Sequence, residues 1–475
     1  MAALPKQLQV MPSTLRILAL TGVWGSGRKI YRFGLMFGYG FMVMMLPRFV
    51  FGVGSDNLSA ILKSIGEVIF LSSIFVPALV FAGKQGTFEK VVNGLGEIFR
   101  KATIGEQFKE CFELIEQQNV KVKKFADFLT IYMSFAAFGY CMPSLFISYL
   151  RYFTNDGTNP VVFVLPMEQE FYGLQIRTNL AHYNIFMVIS LLAYMVCSYF
   201  TLVKLTLPLF TIRYSSITYR LVAIRIRNLT RYKSSATDIK DIIELHQQAF
   251  NVTALVEEMC HIPVALEFLT CILLWSLVMF YISTTMGWDL FSILIVVFSS
   301  LVEAFGYSYL GSELSEQAVT VGAACYELPW YESSSAELTL ACRRIIQRSL
   351  KATRLTGLKM FSIDLKTYGN RRRSREVIWF VHDQQQNMAV EPVIADLSNS
   401  FWLGLAVNEM HLKKGFEKLM DRNLFNLLFN RPKHQQQQLS GTGDSPPSTF
   451  VPSSQHKKNC ASWPVCDDDE GDRPD

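Results

Sequence analysis

Two acidic side chains lie where a charge is hard to keep. Glu267 and Glu303 fall inside long stretches that hold almost no other charge, Glu303 within the run Leu-Val-Glu-Ala-Phe. A carboxylate far from water must find a cation on a neighbouring element, line a water-filled vestibule, or carry a proton. We read Glu303 as a structural or gating partner rather than a direct ligand of a moving ion. No other grouping points to catalysis. The sequence has no HExxH, no Walker loop, no GxSxG and no zinc-ligand spacing. It predicts neither an enzyme nor a cofactor. Cys460 and Cys466 stand as a lone pair near the C-terminal end and read as a stray pair, not a metal site.

The elements that position these carboxylates follow from where the other charges sit. Of 475 residues, 50% are apolar and 18% charged, against roughly a quarter charged in an average soluble domain. The stretches 31–54, 60–83, 128–150, 179–203, 264–287 and 290–312 total 143 residues but hold six of the 85 charged side chains. The remaining 332 residues hold 79. Such segregation excludes an ordinary cytosolic enzyme, a disordered chain, a collagen-like chain and a small disulfide scaffold. It predicts a polytopic membrane protein in contact with the lipid bilayer. The net charge of +5 gives no reason to expect a nucleic-acid partner.

A bilayer core about 30 Å thick needs roughly 20 apolar residues at about 1.5 Å each. Inside it every backbone N–H must be satisfied within its own segment, so each such run must be a helix. Residues 128–150, 179–203 and 268–287 contain no Asp, Glu, Lys or Arg. The stretch 60–83 carries Lys63 and Glu67 one turn apart near one end, where Lys63 can snorkel. The stretch 31–54 carries Arg48 near its far end. It begins too late and runs too long for a cleaved signal peptide, and reads as a retained first span. The fold class is thus all-α and polytopic: six transmembrane helices over 31–312, with helical extensions at 84–124 and 204–261.

Orientation follows from loop charge. With residues 1–30 in the cytosol, the inside segments 1–30, 84–124, 204–261 and 313–358 carry 25 Lys and Arg. The outside segments 55–59, 151–178 and 288–289 carry Arg151 and Arg177. This predicts a multi-pass protein of the plasma membrane with a cytosolic N-terminus. No cysteine falls in an outside segment. Asn57-Leu58-Ser59 is a sequon on the outside, close to the membrane. In the inside segment 84–124, Phe88, Val91, Leu95, Ile98 and Phe99 recur at helical spacing. Asp238, Ile239, Ile242, Ile243, Leu245 and Phe250 predict an amphipathic helix running into the fifth span. Arg220, Arg225, Arg227, Arg231 and Lys233 read first as anchors on anionic lipid.

Under this topology, aromatic side chains with a few polar groups in the outer halves of the spans have the composition of a small-molecule cavity. That nominates Phe70 on the second span and Phe138, Tyr140, Phe146 and Tyr149 on the third. It also nominates Tyr183, Phe186, Met187 and Ser190 on the fourth, with Tyr281 and Phe291 near the last outer turn. For each of them packing against neighbouring helices or lipid is the first reading, and ligand contact the second. His182 reads as an interfacial side chain. Pro77 and Pro143 predict kinks. Gly34, Gly38 and Gly40 make a small-residue face, read as close helix packing.

The most distinctive stretch reads GSELSEQAVTVGAACYELPWYE over 311–332 and LACRRIIQRSLKATRLTGLKMFSIDLKTY over 340–368. This resembles the C-terminal signature of insect odorant receptors. The shared features are Tyr326, Trp330 and Tyr331, a basic helix, the small-residue turn Thr356-Gly357, and Phe361, Leu365 and Tyr368 leading to a last span. The resemblance implies an odorant-gated, non-selective cation channel subunit. It implies a hetero-oligomer with a co-receptor subunit, as a tetramer, with the signature region 313–368 as a cytosolic anchor making subunit contacts. It implies the plasma membrane of an olfactory dendrite and a pore lined by the last span.

The chain departs from the family where that seventh span should begin. Near Asp364 some 25 apolar residues are expected; instead 369–376 reads Gly-Asn-Arg-Arg-Arg-Ser-Arg-Glu. The longest run thereafter free of both charge and low-complexity bias is LSNSFWLGLAVN at 397–408, too short to cross. Residues 369–430 read as an atypical tail with one amphipathic helix, and 431–475 as disordered. The change resembles a misread exon boundary or an alternative splice, whose product would lack its own pore helix. A secondary transporter would show repeats and broken helices in matching halves. A G-protein-coupled receptor would place its N-terminus outside. Neither pattern is present.

Overall fold

The computed structural model describes residues 9–24, 28–52, 58–103, 109–155, 161–231, 236–284, 289–328, 336–351 and 353–366. Asn57, Trp330, Tyr331, Tyr368, Cys460, Cys466 and the tail 369–475 lie outside them. The elements are α1 (Pro12–Thr21), α2 (Arg28–Met44), α3 (Leu46–Val50), α4 (Leu58–Gly83), α5 (Gln85–Ala102), α6 (Lys109–Phe153), α7 (Leu180–Arg231), α8 (Ala236–Thr284), α9 (Asp289–Tyr326) and α10 (Ala336–Leu350). A two-residue hairpin follows, β1 (Thr356–Gly357) with β2 (Phe361–Ser362), antiparallel, Gly357 opposite Phe361.

The protein is an all-α polytopic membrane protein. Among the described residues, four helices, α4, α6, α7 and α8, are long and apolar enough to cross a bilayer. The first charge-poor stretch is divided. α2 stops at Met44 after 17 residues, and Pro47 opens the five-residue α3. Proline has no N–H to continue the ladder but suits a helix start. Pro77 and Pro143 sit inside the continuous helices α4 and α6.

α7 is the axis of the bundle. It packs against α1, α2, α4, α5, α6, α8 and α9. Every residue from Phe200 to Tyr219 is buried, the mark of a helix surrounded on all sides. Three of its hydroxyls are satisfied within the helix: Thr201, Thr206 and Thr211 donate to the carbonyls of Cys197, Leu202 and Leu207 at 2.9, 2.7 and 2.8 Å. That back-bonding lets polar side chains lie in a core without a foreign partner. Phe33, Phe37 and Phe41 of α2 meet Phe75 of α4 and Phe200 of α7, with ring centroids 5.2–6.3 Å apart. A Cβ on Gly40 would touch Phe75, whereas Gly34 and Gly38 meet nothing within 4 Å. Close packing therefore holds at Gly40 alone.

Beyond the apolar stretches the helices continue and are tied by polar contacts. Arg213 of α7 pairs with Glu313 of α9 and donates to Gln118 of α6 at 3.1 Å. Lys101 of α5 meets Glu244 of α8 at 2.6 Å, and Arg227 meets Glu327 at 2.8 Å. All seven cysteines among the described residues are buried and unbonded. The hairpin lies on α8 and α9. Phe361 stands edge-on to Phe268, Leu358 N–H donates to His261 O, and Leu365 N–H donates to Ser312 Oγ. A Cβ on Gly357 would clash with the Phe361 ring, and one on Gly311 would clash with Ile363 O. Gly311→Ala should thus push the hairpin off α9 and cost about 1–3 kcal/mol, read as a lowered melting temperature of the detergent-solubilised protein.

His246 of α8 packs 4.7 Å from the Phe250 ring, which also meets Tyr219 at 5.5 Å and the Arg348 guanidinium at 3.9 Å. Burial first, and the Arg348 charge second, lower its pKa to about 4. The unfolded imidazole titrates near 6.5, so the folded chain favours the neutral ring. The resulting stability is complete above about pH 6.5 and is lost as pH falls toward 4, by up to about 1.4 kcal/mol per pH unit. His246→Leu should flatten the acid limb of a melting-temperature profile across that window.

Candidate ligand-binding site

The apolar ends of α4, α6 and α7 meet beneath the segment 161–179. Asn179 caps α7, its Oδ1 accepting the N–H groups of Ala181 at 2.9 Å and His182 at 3.3 Å, which fixes where the helix starts. His182 Nδ1 accepts Gln175 N–H at 3.2 Å. The segment then folds back over the first turns of α7. Phe163 stacks on Tyr183 at 4.8 Å and Phe171 meets Phe186 edge-on at 5.1 Å. Tyr183 Oη lies 3.2 Å from the carbonyls of both Ser144 and Val164. Tyr183, Phe186 and Met187 are buried here. Tyr149 Oη donates to Asn184 Oδ1 at 2.9 Å.

A polar cluster lies beside this seam. Arg48 of α3 pairs with Glu67 of α4, their side chains 2% and 11% exposed. Tyr140 of α6 donates to the other Glu67 oxygen at 3.3 Å. The Tyr140 ring packs 5.1 Å from Tyr194 of α7. Ser190 is buried one turn before Tyr194, on the same helix face. Toward the covering segment, Glu168 meets Arg177 at 2.8 Å and Lys63 at 3.9 Å. Lys63 is therefore held by a carboxylate. Gln169 Nε2 donates to Val43 O at 3.3 Å.

The sequence nominees divide into three groups. Tyr140, Tyr149, Tyr183, Phe186, Met187 and Ser190 gather around the start of α7. Phe70 packs instead on the cluster of Leu274, Val278 and Val297 between α8 and α9, and Tyr281 is buried at 1% exposure. Phe138 and Phe146 project away from the bundle, 42% and 70% exposed. They lie on the face of α6 that no other described element covers, so they line no interior space in this chain. Phe291 is on α9; its side chain lies outside the described residues. Of the signature residues, Phe361 and Leu365 dock on α8 and α9, while Tyr326 is 74% exposed at the end of α9. Sequence reasoning noted Arg48 and Glu67 singly but missed their pairing and missed Tyr194. Their separations along the chain carry no helical register that would join them.

Farther along the bundle Glu267 and Glu303 share one cation. Lys204 Nζ of α7 lies 2.7 Å from Glu267 Oε2 of α8 and 2.8 Å from Glu303 Oε2 of α9. All three side chains are at most 8% exposed. Tyr307 Oη donates to the Lys204 carbonyl at 3.2 Å. By charge count Lys204 belonged with the inside loop; it is instead the partner that the two carboxylates required. No group of three or more His, Cys, Asp or Glu among the described residues could hold a metal.

The model of the 7tm Odorant receptor family matches residues 78–371, more than half of the sequence. The chain belongs to that family. This odorant receptor has the fold of two solved structures of the insect olfactory receptor OR5 from Machilis hrabei. Against the first, identity is 16% and the TM-score 0.61; against the second, in complex with eugenol, they are 17% and 0.63. Each alignment covers 78% of this chain and 96% of the other. No curated protein matched the sequence. In this receptor, Lys204→Met should strand two buried carboxylates and cost about 3–5 kcal/mol. The triple variant Lys204→Met, Glu267→Gln, Glu303→Gln should recover most of that loss in thermal unfolding, because it removes the charges together.

Proposed function

We propose that this odorant receptor binds a small, mostly apolar volatile where α4, α6 and α7 meet beneath the segment 161–179. Binding gates a non-selective cation pore formed with a co-receptor subunit in the plasma membrane. The observation that carries the ligand half is the juxtaposition of aromatic side chains with a few buried polar groups at one end of the bundle, the composition that small-molecule sites use. Tyr140, Tyr149, Tyr183, Phe186, Met187 and Ser190 are its elements from the nominated set. One of the two similar solved structures is a complex with eugenol, a small aromatic molecule, which agrees with this reading. The excess of Lys and Arg in the inside segments supports a cytosolic N-terminus. The exposed Tyr326, at the end of a helix carrying the signature, supports a subunit contact there.

A second reading rests on one observation. The family match stops at residue 371, where the chain turns strongly basic. A product of this kind would assemble with the co-receptor yet supply no pore helix of its own.

Co-expression with a co-receptor in an otherwise silent cell, under an odour panel with current recording, separates the two. The chain as given is compared with one carrying an apolar seventh span after residue 368. Current from both supports the channel reading. Current from the restored chain alone assigns the non-conducting role to the present tail. Silence from both, with surface expression verified, counts against a channel subunit altogether.

A further inference from the structure

The polar cluster at the ligand end contains hydrogen-bonding atoms that the chain does not satisfy. Arg48 uses Nη2 on Glu67, but its Nε and Nη1 are buried without a partner. Ser190 Oγ and Tyr194 Oη are buried without a partner as well. Arg48 and Ser190 are 7% and 2% exposed. The Arg48 and Tyr194 atoms belong to one connected group, since Arg48 pairs with Glu67, Glu67 accepts from Tyr140, and Tyr140 packs on Tyr194; Ser190 stands one turn from Tyr194 on the same face of α7. Buried donors are almost always paired, and a lone one costs its full desolvation. Three unmet atoms at one ion pair, with a fourth one turn along α7, therefore form a group that a polar atom of a ligand can complete.

We infer that this cluster is a polar subsite for the carbonyl oxygen of an uncharged ligand, an aldehyde or ketone with an apolar body. The inference rests on the receptor reading above and specifies the ligand class. The surplus is rich in donors, two of them fixed N–H groups of a guanidinium, so the complement is an acceptor. Charge decides between acceptors. Glu67 already pairs with Arg48, so a ligand carboxylate would enter beside another carboxylate and compete with it for the same guanidinium. A hydrocarbon would leave all four atoms unmet.

The test uses isosteric pairs that differ in C=O against C=CH2: acetophenone with α-methylstyrene, benzaldehyde with styrene, and cyclohexanone with methylenecyclohexane. Benzoate is the charged control. Binding to the purified full chain in nanodiscs, read by thermal shift or tryptophan fluorescence, needs no pore. Each carbonyl compound that binds should do so roughly tenfold more tightly than its partner, the effect of one hydrogen bond to a charged group, and benzoate should bind weakest. Tyr194→Phe and Ser190→Ala remove hydroxyls that hold nothing in the chain, so the melting temperature of the free protein should stay and the carbonyl preference should shrink. Arg48→Lys keeps the charge opposite Glu67 and should abolish the preference. Equal affinity within the pairs, or benzoate binding as tightly as benzaldehyde, overturns the subsite while leaving the receptor reading intact. If none of these compounds nor a broad panel of volatiles binds, the receptor reading falls, and the subsite with it.

Discussion

An ammonium group held between two carboxylates sets the register of three long neighbouring helices. Lys204 of α7 reaches Glu267 of α8 and Glu303 of α9 at 2.7 and 2.8 Å, in a place where none of the three has water to turn to. Such a group adds little to net stability, because desolvation consumes most of the attraction. Its value is specificity. An apolar helix can slide or rotate against another at small cost, whereas displacing any of these helices by one turn would leave a charge alone in a low-dielectric interior. Apolar surface supplies the association; the triad supplies its alignment.

From that alignment the rest of the bundle follows. With α7 encircled, Thr201, Thr206 and Thr211 bond backward to their own helix, and its apolar positions carry the aromatic contacts with α2 and α4. Past the apolar stretches the same helices exchange charged contacts, Arg213 with Glu313 and Gln118. The hairpin at 356–362 then fits only because Gly311 and Gly357 lack a Cβ at two points of near contact. At the opposite end, Asn179 caps α7 and the segment before it folds over the first turns, burying Tyr183, Phe186 and Met187.

How much of this could be read in the sequence depends on range. Charge depletion is a local property, and it identified an all-helical membrane protein whose suspect residues included Glu303. The signature around Gly311 and Phe361 is likewise local, and it led to the family. Pairing across the bundle is not local. Lys204 sits at the edge of a charge-poor stretch and counted with the loop cations, because nothing in its neighbours reveals that two acids 63 and 99 residues away converge on it. Rotation of a helix about its axis is equally hidden when all faces are apolar. Phe138 and Tyr140 are two residues apart on α6, yet one faces outward and the other donates to Glu67. Where lipid and protein interior are equally apolar, the hydrophobic pattern cannot say which face is which. The interruption between α2 and α3 was legible in principle, since Pro47 announces it.

The ligand end and the triad are connected by a single element. Tyr194 and Lys204 lie ten residues apart on α7, about 15 Å along a continuous helix. A ligand shifts a conformational equilibrium only by the difference in its affinity for the two states. A group that completes the hydrogen bonding of Arg48, Ser190 and Tyr194 in one arrangement of α3, α4, α6 and α7, and not in another, has such a difference. The carboxylates of α8 and α9 then experience that choice through the position of Lys204. Because the triad resists sliding, a movement of α7 must either carry α8 and α9 with it or break the charge pairing. The first route needs no unpaired charge, so concerted motion of the three helices is the less costly response to a ligand.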